Sequence, residues 1–317
     1  MDKLYIVVPC YNEEEVLPET VSRLTHKLEA LISAGTVATD SRMLLVDDGS
    51  KDRTWQMIED FHRENPLVQG LKLARNRGHQ NALLAGLMTA KDHADVSISM
   101  DADLQDDIEA VDDFLRAYCD GCDIVYGVRN NRDTDTGFKR STAQAFYKLM
   151  TFLGADTVYN HADYRLMSRR ALEGLAQFKE VNLFLRGIVP MVGYKTATVE
   201  YKRGERFAGE SKYPLTKMLN FALDGVTSLS VRPIRFITLL GFLLAAAGCI
   251  WALVLLILFL LGRPISGTTV AVMSIWTACG LQLLATGVIG EYLGKIYLET
   301  KQRPRFIIET YLGDEGM

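Results

Sequence analysis

VSISMDAD, residues 96–103, joins a short apolar run to two carboxylates that are one residue apart. A run of this length is typical of a strand buried in a parallel sheet. The residues that follow such a strand lie at the carboxyl edge of the sheet, where open α/β sheets bind ligands. Carboxylates this close repel each other unless a cation lies between them, and their hard oxygens suit Mg²⁺ or Mn²⁺. The pattern therefore predicts that Asp101 and Asp103 hold a divalent metal for a substrate with a diphosphate.

These carboxylates also have a plainer interpretation. Asp106, Asp107 and Glu109 follow closely, and acidic side chains stabilise the first turn of a helix. The whole acidic segment would then be the start of the next helix. The rest of the chain has to decide between the two interpretations.

Strand-like and helix-like segments alternate as far as residue 201. Strands are predicted over 4–9, 43–46, 68–73, 96–100, 123–126, 162–167 and 195–201. Helices are predicted over about 14–33, 52–64, 81–90, 107–119, 138–153 and 169–178. This alternation indicates βαβ units, and hence a Rossmann-like α/β fold with a mostly parallel sheet and helices on both faces.

Polar turns follow four successive strands of this predicted sheet. Asn12 and Glu13 follow the first strand, and Asp48, Asn76 and Asp101 follow the next three. Since the carboxyl ends of parallel strands share one edge, these turns should converge on one cleft. Neither G-x-G-x-x-G nor G-x-x-x-x-G-K-[ST] occurs, which disfavours a dinucleotide-binding enzyme and a P-loop NTPase.

A glycine-containing loop over 202–213 carries Arg203, Arg206 and Lys212. Such a loop is suited to closing over a phosphate. The alternative is a solvated surface loop with alternating charges.

Composition excludes several functions. The chain has 317 residues and a net charge of −4, without a basic stripe interleaved with aromatic residues, so no nucleic-acid partner is expected. The five cysteines are scattered and the five histidines lack ligand spacing, which disfavours a zinc or redox site.

Two uncharged stretches, about 236–261 and 268–290, predict a pair of transmembrane helices. Lys and Arg lie outside this pair, with only Arg263 between the two stretches, so both termini are expected to be cytoplasmic. The alternative is a hairpin buried in a soluble core. The segment 214–231 has the pattern of an amphipathic helix at a membrane surface.

The predicted organisation follows from these segments. It comprises a catalytic domain (1–213), a juxtamembrane helix (214–231), a membrane hairpin (232–294) and a cytoplasmic tail (295–317). The expected location is the inner (plasma) membrane, with several passes and a cytoplasmic catalytic domain. Whether the chain forms a homo-oligomer is left open.

Several motifs, taken together and in order, match a known family. They are VPCYNEE (8–14), VDDGS (46–50), RNRGHQ (75–80), DADLQ (101–105), VYGVR (125–129), DYRL (163–166) and RFAGESKY (206–213). The chain resembles family 2 glycosyltransferases of the GT-A fold, in the branch that makes polyisoprenyl-phosphate sugars. Arg77 departs from the pattern, since an aromatic residue is more usual there. The absence of Q-x-x-R-W and the two predicted spans argue against a processive polysaccharide synthase.

The resemblance implies a role for each matching residue. Those expected to bind the nucleotide are Pro9, Tyr11, Asn12, Glu13, Asp48, Asn76, His79, Gln80, Asp101 and Ala102. Asp101 and Asp103 would bind Mg²⁺ or Mn²⁺. Those expected to contact the sugar or acceptor are Gln105, Arg132, Arg165 and Ser211. The catalytic group would comprise Asp103, Arg129, Asp163, Arg206 and Lys212.

The implied reaction moves a hexose from a nucleotide sugar, preferably a UDP-sugar, to a polyprenyl (undecaprenyl) phosphate with inversion. The product would be a polyprenyl-phosphate sugar for cell-envelope glycosylation. A nucleotidyltransferase that makes the sugar nucleotide is a rival, although it would usually carry a glycine-rich, lysine-containing loop after the first strand. A non-catalytic membrane scaffold that retains a nucleotide-sugar-binding domain is another.

Overall fold

The computed structural model describes residues 1–129, 161–181, 184–202, 204 and 267–313, together with isolated positions between 237 and 261. The strands are β1 (Leu4–Cys10), β2 (Arg42–Asp47), β3 (Val68–Leu73), β4 (Val96–Ser99), β5 (Ile124–Arg129), β6 (His161–Ser168), β7 (Thr196–Tyr201) and β8 (Ile308–Leu312). The helices are α1 (Leu17–Ser33), α2 (Thr54–Glu64), α3 (His79–His93), α4 (Ala110–Cys119), α5 (Arg169–Ala176), α6 (Leu185–Met191) and α7 (Gly267–Lys301).

The strands form one mixed sheet in the order β7-β5-β6-β4-β1-β2-β3-β8. Its central strands β3, β2, β1 and β4 are parallel, as predicted. β6 lies antiparallel between β4 and β5, and β8 adds an antiparallel strand beside β3. The α/β class is therefore confirmed, and the carboxyl ends of β1 to β4 lie along one edge.

Helices cover both faces of this sheet, because the buried strands present apolar side chains to either side. One core packs α1, α2 and α4 on the sheet and includes Leu24, Ile58 and Phe114. The other packs α3, α5 and α6 on the opposite face and includes Leu84 and Leu172. Two cores on a shared sheet match the predicted layering.

The contact of α3 with the sheet depends on Gly86. A Cβ atom there would lie 2.7 Å from Val46 Cγ2 and closer still to Val7 Cγ1. Both neighbours are stiff β-branched side chains in central strands, so neither can easily move away.

Gly86→Ala should therefore lower the free energy of unfolding by about 1–2 kcal/mol. Overpacking costs about 1–3 kcal/mol, and two contacts under 3.0 Å place Gly86 in the upper part of that range. The cost therefore exceeds the roughly 1 kcal/mol that alanine gains over glycine in a helix. Urea unfolding checks this, with Gly280→Ala as the control, since nothing lies within 4 Å of a Cβ at Gly280 in α7. Equal effects at the two glycines would contradict the close approach.

The C-terminal segment returns to the sheet, where the sequence predicted only a tail. β8 pairs with β3, and the Ala74 N–H donates to the Ile307 carbonyl at 2.9 Å. The Arg77 side chain donates to the Pro304 carbonyl at 3.1 Å. The residue that departs from the family pattern therefore contacts the returning segment.

The prediction of a multi-pass membrane protein is wrong, because the described helices lack the combined length and apolarity that a membrane span needs. The second predicted span lies in α7, whose 35 residues include Gln282, Thr286, Glu291 and Lys295 among the apolar ones. Within the part of the chain that the structure describes, no helix combines the length and the apolarity needed to cross a bilayer.

Other predicted elements lie outside the described residues. They are the helix over 138–153, the amphipathic helix over 214–231, most of the first predicted span and the loop 203–213 apart from Gly204.

Candidate active site

The turns after β1 and β2 are bonded to each other. Asn12 has a left-handed backbone with φ 53°, a conformation that asparagine tolerates better than most residues. Its N–H donates to Ser50 Oγ at 3.0 Å, and its Oδ1 accepts from the Lys51 N–H at 2.8 Å. Asn12 therefore fixes the two turns relative to each other. The neighbouring Tyr11 and Glu13 are half-buried, and Pro9 is buried within β1.

Asp48 anchors the turn after β3. Its two carboxylate oxygens accept from the N–H groups of Arg77 at 2.7 Å and Gly78 at 2.9 Å, and its side chain is buried. Gly49 has φ +66°, and a Cβ there would lie 2.6 Å from the backbone nitrogen of Asn76. Only glycine therefore lets the exposed Asn76 come so close to the second turn.

His79 and Gln80, the first two residues of α3, contact different parts of the protein. His79 Nε2 lies 3.5 Å from Asp101 Oδ1 and 3.6 Å from Asp163 Oδ2. Gln80 Oε1 accepts from the Leu185 N–H at 2.8 Å, where α6 begins. The start of α3 thus connects the turn after β4 to both β6 and α6.

The Asp101–Asp103 turn leaves β4 at the predicted edge. The Thr20 hydroxyl on α1 donates to the buried Ala102 carbonyl at 2.8 Å, which holds the middle of the turn. Asp101 and Asp103 are half-buried, and Asp103 Oδ1 accepts from the Gln105 N–H at 3.2 Å. Leu104 next to them has φ 57°, a strained backbone for leucine. α4 begins only at Ala110, so this turn is not the first turn of the helix.

The donor set of this turn fits a hard divalent cation. Two carboxylates with partial access to solvent are the usual protein share of a Mg²⁺ or Mn²⁺ site that also takes substrate phosphates. Within the described residues, no three His, Cys, Asp or Glu side chains converge as a complete metal cluster. A metal at Asp101 and Asp103 would therefore take further ligands from a diphosphate or from water.

A second cluster contacts this turn and joins the predicted residue Arg129 to Asp106 and Tyr201, which were not predicted. Buried Asp106 accepts from the Tyr201 hydroxyl at 2.6 Å, and Tyr201 accepts from Arg129 Nε at 3.1 Å. Asp106 Oδ2 also lies 3.4 Å from the Asp101 nitrogen. Burial and the charge of Asp101 raise the pKa of Asp106 to about 6. Arg129 is therefore linked to the Asp101–Asp103 turn through Tyr201 and Asp106.

Asp163 on β6 is surrounded by cationic side chains. Its Oδ1 accepts from Arg165 Nη2 at 2.6 Å, and its Oδ2 accepts from Arg186 Nη2 at 3.1 Å. Arg165 is 1% exposed, so this pair lies inside the protein. Ser99, at the end of β4, donates to the Asp163 carbonyl at 2.5 Å and fixes the backbone there.

These contacts make Asp163 a poor proton acceptor. Burial alone would raise its pKa, but Arg186, His79 and Arg165 hold the pKa of the Asp163 carboxyl well below its usual range. A carboxylate with so low a pKa gives up its charge reluctantly. The geometry therefore suits Asp163 to orienting groups more than to removing a proton.

His79 carries a positive charge at neutral pH. Burial disfavours that charge, but the Asp163 contact and the charges of Asp101 and Asp163 outweigh it and raise the pKa of His79 to about 9. The imidazolium thus offsets the repulsion between the carboxylates of β4 and β6.

His79→Gln should make the protein less stable at neutral pH, and the deficit should shrink at high pH. A histidine whose folded pKa is raised stabilises the fold fully below its unfolded pKa of 6.5 and loses that effect as the pH rises through about 9. Melting temperatures of both proteins from pH 6 to 10 check this. A difference that stays constant over this range would contradict a charged His79.

Four predicted site residues, Arg132, Arg206, Ser211 and Lys212, lie outside the described part of the chain. The described ones lie at or after the carboxyl ends of β1 to β4, at the start of α3, and on β5 and β6. Three further residues of this region, Asp106, Arg186 and Tyr201, were not among the predicted ones. The sequence suggests for Asp106 only the alternative of a helix start, and the segments of Arg186 and Tyr201 carry no pattern that indicates chemistry.

Comparisons with known proteins place this chain in a family. The model of "Glycosyl transferase family 2" matches residues 5–175. An uncharacterized glycosyltransferase of Bacillus subtilis, YkoT, is 55% identical over 314 residues, which cover 99% of this chain and 93% of that protein. A prophage bactoprenol glucosyl transferase homolog of Escherichia coli is 39% identical and matches over 97% of this chain and 98% of its own length.

Among solved structures, mannosyl-3-phosphoglycerate synthase from Rubrobacter xylanophilus is similar over 74% of each chain, with 16% identity and a TM-score of 0.49. The family model covers more than half of the chain, and the sequence relatives match it almost from end to end. The chain belongs to glycosyl transferase family 2, and it is a glycosyltransferase.

Proposed function

We propose that this enzyme transfers a hexose from a nucleotide sugar, UDP-hexose by preference, to a polyprenyl phosphate of the undecaprenyl type. The observation that carries the proposal is the Asp101–Asp103 turn, which lies at the ligand-binding edge of the sheet in contact with His79. The relatives named bactoprenol glucosyl transferases support the choice of acceptor.

The nucleotide would lie over the turns that follow β1, β2 and β3. Asn12 and Asp48 hold these turns in a fixed arrangement, so the site needs little rearrangement before binding. Asp101 and Asp103 would hold Mg²⁺ or Mn²⁺ on the diphosphate, where a bound cation offsets the charge of the leaving group.

The acceptor needs no strong base to become a nucleophile. The second pKa of a phosphate monoester is about 6, so such an acceptor is mostly a dianion at neutral pH. Its oxygen attacks the anomeric carbon in line, the bond to the nucleoside diphosphate breaks, and the configuration inverts. No proton has to be removed in this step.

The main obstacle is the repulsion between the phosphate dianion and the sugar nucleotide. Arg129 contacts Asp106 and Tyr201 next to the Asp101–Asp103 turn, where its positive charge would lower this repulsion. Asp163, held by Arg165 and Arg186, would orient a hydroxyl of the sugar or the acceptor. Arg132, Arg206 and Lys212 would add charge around the acceptor phosphate.

The test measures nucleoside diphosphate released by the full-length purified protein. A panel of UDP- and GDP-sugars is offered with Mg²⁺ or Mn²⁺, with and without undecaprenyl phosphate. We expect release with one class of sugar nucleotide, and only when both metal and lipid phosphate are present. If nucleoside diphosphate is released at the same rate without undecaprenyl phosphate, the proposed acceptor is wrong. If none is released with any sugar nucleotide, a non-catalytic scaffold is favoured.

A further inference from the structure

Arg186 is a charged residue of the site that lies in none of the sequence motifs quoted above. It lies in the first turn of α6, directly after Leu185, whose N–H donates to Gln80 on α3. Gln80 therefore fixes the start of α6 relative to the residue that follows His79. The side chain of Arg186 is 32% exposed, so its position is set by contacts within the protein more than by solvent.

The contact between Arg186 and Asp163 is two-pronged. Arg186 Nη2 donates to Asp163 Oδ2 at 3.1 Å, and Arg186 Nε lies 3.4 Å from Oδ1. A planar guanidinium that engages both oxygens fixes the plane of the carboxylate as well as its position. Arg165 holds only one of the two oxygens, Oδ1. Among the described contacts of Asp163, that of Arg186 is the one that engages both oxygens, so it adds most to fixing the plane of the carboxylate.

The oxygen that Arg186 fixes is also the one that faces His79. Asp163 Oδ2 lies 3.6 Å from His79 Nε2, which in turn lies 3.5 Å from Asp101 Oδ1. A continuous series of charges therefore runs from Arg186 through Asp163 and His79 to Asp101. A carboxylate free to rotate would move this oxygen away from His79 and weaken the series.

We propose that Arg186 is a positioning residue, which acts on the transfer reaction by fixing the carboxylate of Asp163 toward His79 and the Asp101–Asp103 turn. This inference rests on the proposed function. It assigns Arg186 no direct contact with the substrate.

The experiment compares the kinetics of wild type, Arg186→Gln, Arg186→Lys, Asp163→Asn and the double variant Arg186→Gln/Asp163→Asn. Arg186→Gln should lower kcat by about 10- to 100-fold, the effect of losing a charged hydrogen-bonded pair at a site. The KM for the nucleotide sugar should change by less than about threefold, since the nucleotide turns are not altered. The kcat of Arg186→Lys should lie between those of the wild type and Arg186→Gln, because lysine supplies the charge without the two-pronged contact.

The double variant separates positioning from a merely structural role. If Arg186 acts through Asp163, the double variant should be about as slow as Asp163→Asn alone, because the two changes remove one shared interaction. Multiplied losses would overturn the proposal. The control is Arg170→Gln, whose exposed side chain pairs with Asp123 away from the site and should leave kcat at the wild-type value.

Each outcome has a distinct meaning. A wild-type protein that makes no lipid-linked sugar refutes the proposed function itself. An active wild type with wild-type kcat in Arg186→Gln overturns only the role of Arg186. Should Arg186→Gln fail to fold, Arg186→Lys decides the question, since full wild-type kcat there would show that the two-pronged contact has no role.

Discussion

Asp103→Ala is expected to lower the rate of sugar transfer by at least about 10³-fold. A bound metal ion supplies several kcal/mol of charge stabilisation, and each 1.4 kcal/mol corresponds to about a factor of ten in rate. The Asp101–Asp103 turn has two carboxylates with solvent access, so removing one leaves a single ligand from the pair. The measurement is the steady-state rate at saturating donor and lipid phosphate, with the metal concentration varied.

Asp107→Ala is the matched control for this change. Asp107 is exposed, lies in the same acidic segment and accepts from the Glu109 N–H at 3.0 Å. Its loss should change stability slightly and leave the rate within about twofold, as for most surface substitutions. If Asp103→Ala behaved like Asp107→Ala and kept the wild-type metal dependence, the carboxylate pair would not be a metal site.

Asp163→Asn is expected to cost about 3 kcal/mol of stability and yet to leave measurable transfer. Breaking a buried ion pair costs about 3–5 kcal/mol, because it leaves one charge without compensation. Arg165, at 1% exposure, is that charge. The shape-conserving asparagine keeps one acceptor oxygen for it, which places the effect at the low end.

The rate of Asp163→Asn separates orientation from base catalysis. Asparagine cannot accept the proton that a general base removes, so a base role predicts a loss as large as that of Asp103→Ala. We expect a loss of only about 10- to 100-fold, since the attacking phosphate is already ionised. Urea unfolding and the transfer rate are both measured. Asp113→Asn, whose carboxylate pairs with Arg116 at the surface, serves as the stability control with an expected cost of at most about 1 kcal/mol.

The central fold could be predicted because its signals are local. The apolar runs of β1 to β4 end within a residue or two of the predicted positions, and each is followed by a polar turn. Parallel pairing then brings Asn12, Asp48, Asn76 and Asp101 to one edge. The positions of these strands and turns can therefore be predicted from residues that are neighbours in the sequence.

The remaining features depend on partners far away in sequence. β8 pairs with β3, which lies more than two hundred residues earlier in the chain. Arg186 gains its role from Asp163 on another element, and Asp106 gains its role from Tyr201 on β7. No pattern within a short window marks such residues, since their chemistry arises from tertiary contacts. The membrane prediction failed for a different reason: it rested on two uncharged runs and the placement of Lys and Arg around them, whereas no described helix is long and apolar enough to cross a bilayer.

The most direct test of the account is the mass of the lipid after incubation of the purified full-length protein with undecaprenyl phosphate, Mg²⁺ or Mn²⁺ and the sugar nucleotide that supports turnover. The account predicts a lipid heavier by one hexose residue, formed by the wild type and lost in Asp103→Ala. An unchanged lipid mass while nucleoside diphosphate is released, or a sugar attached to any other acceptor, would contradict it.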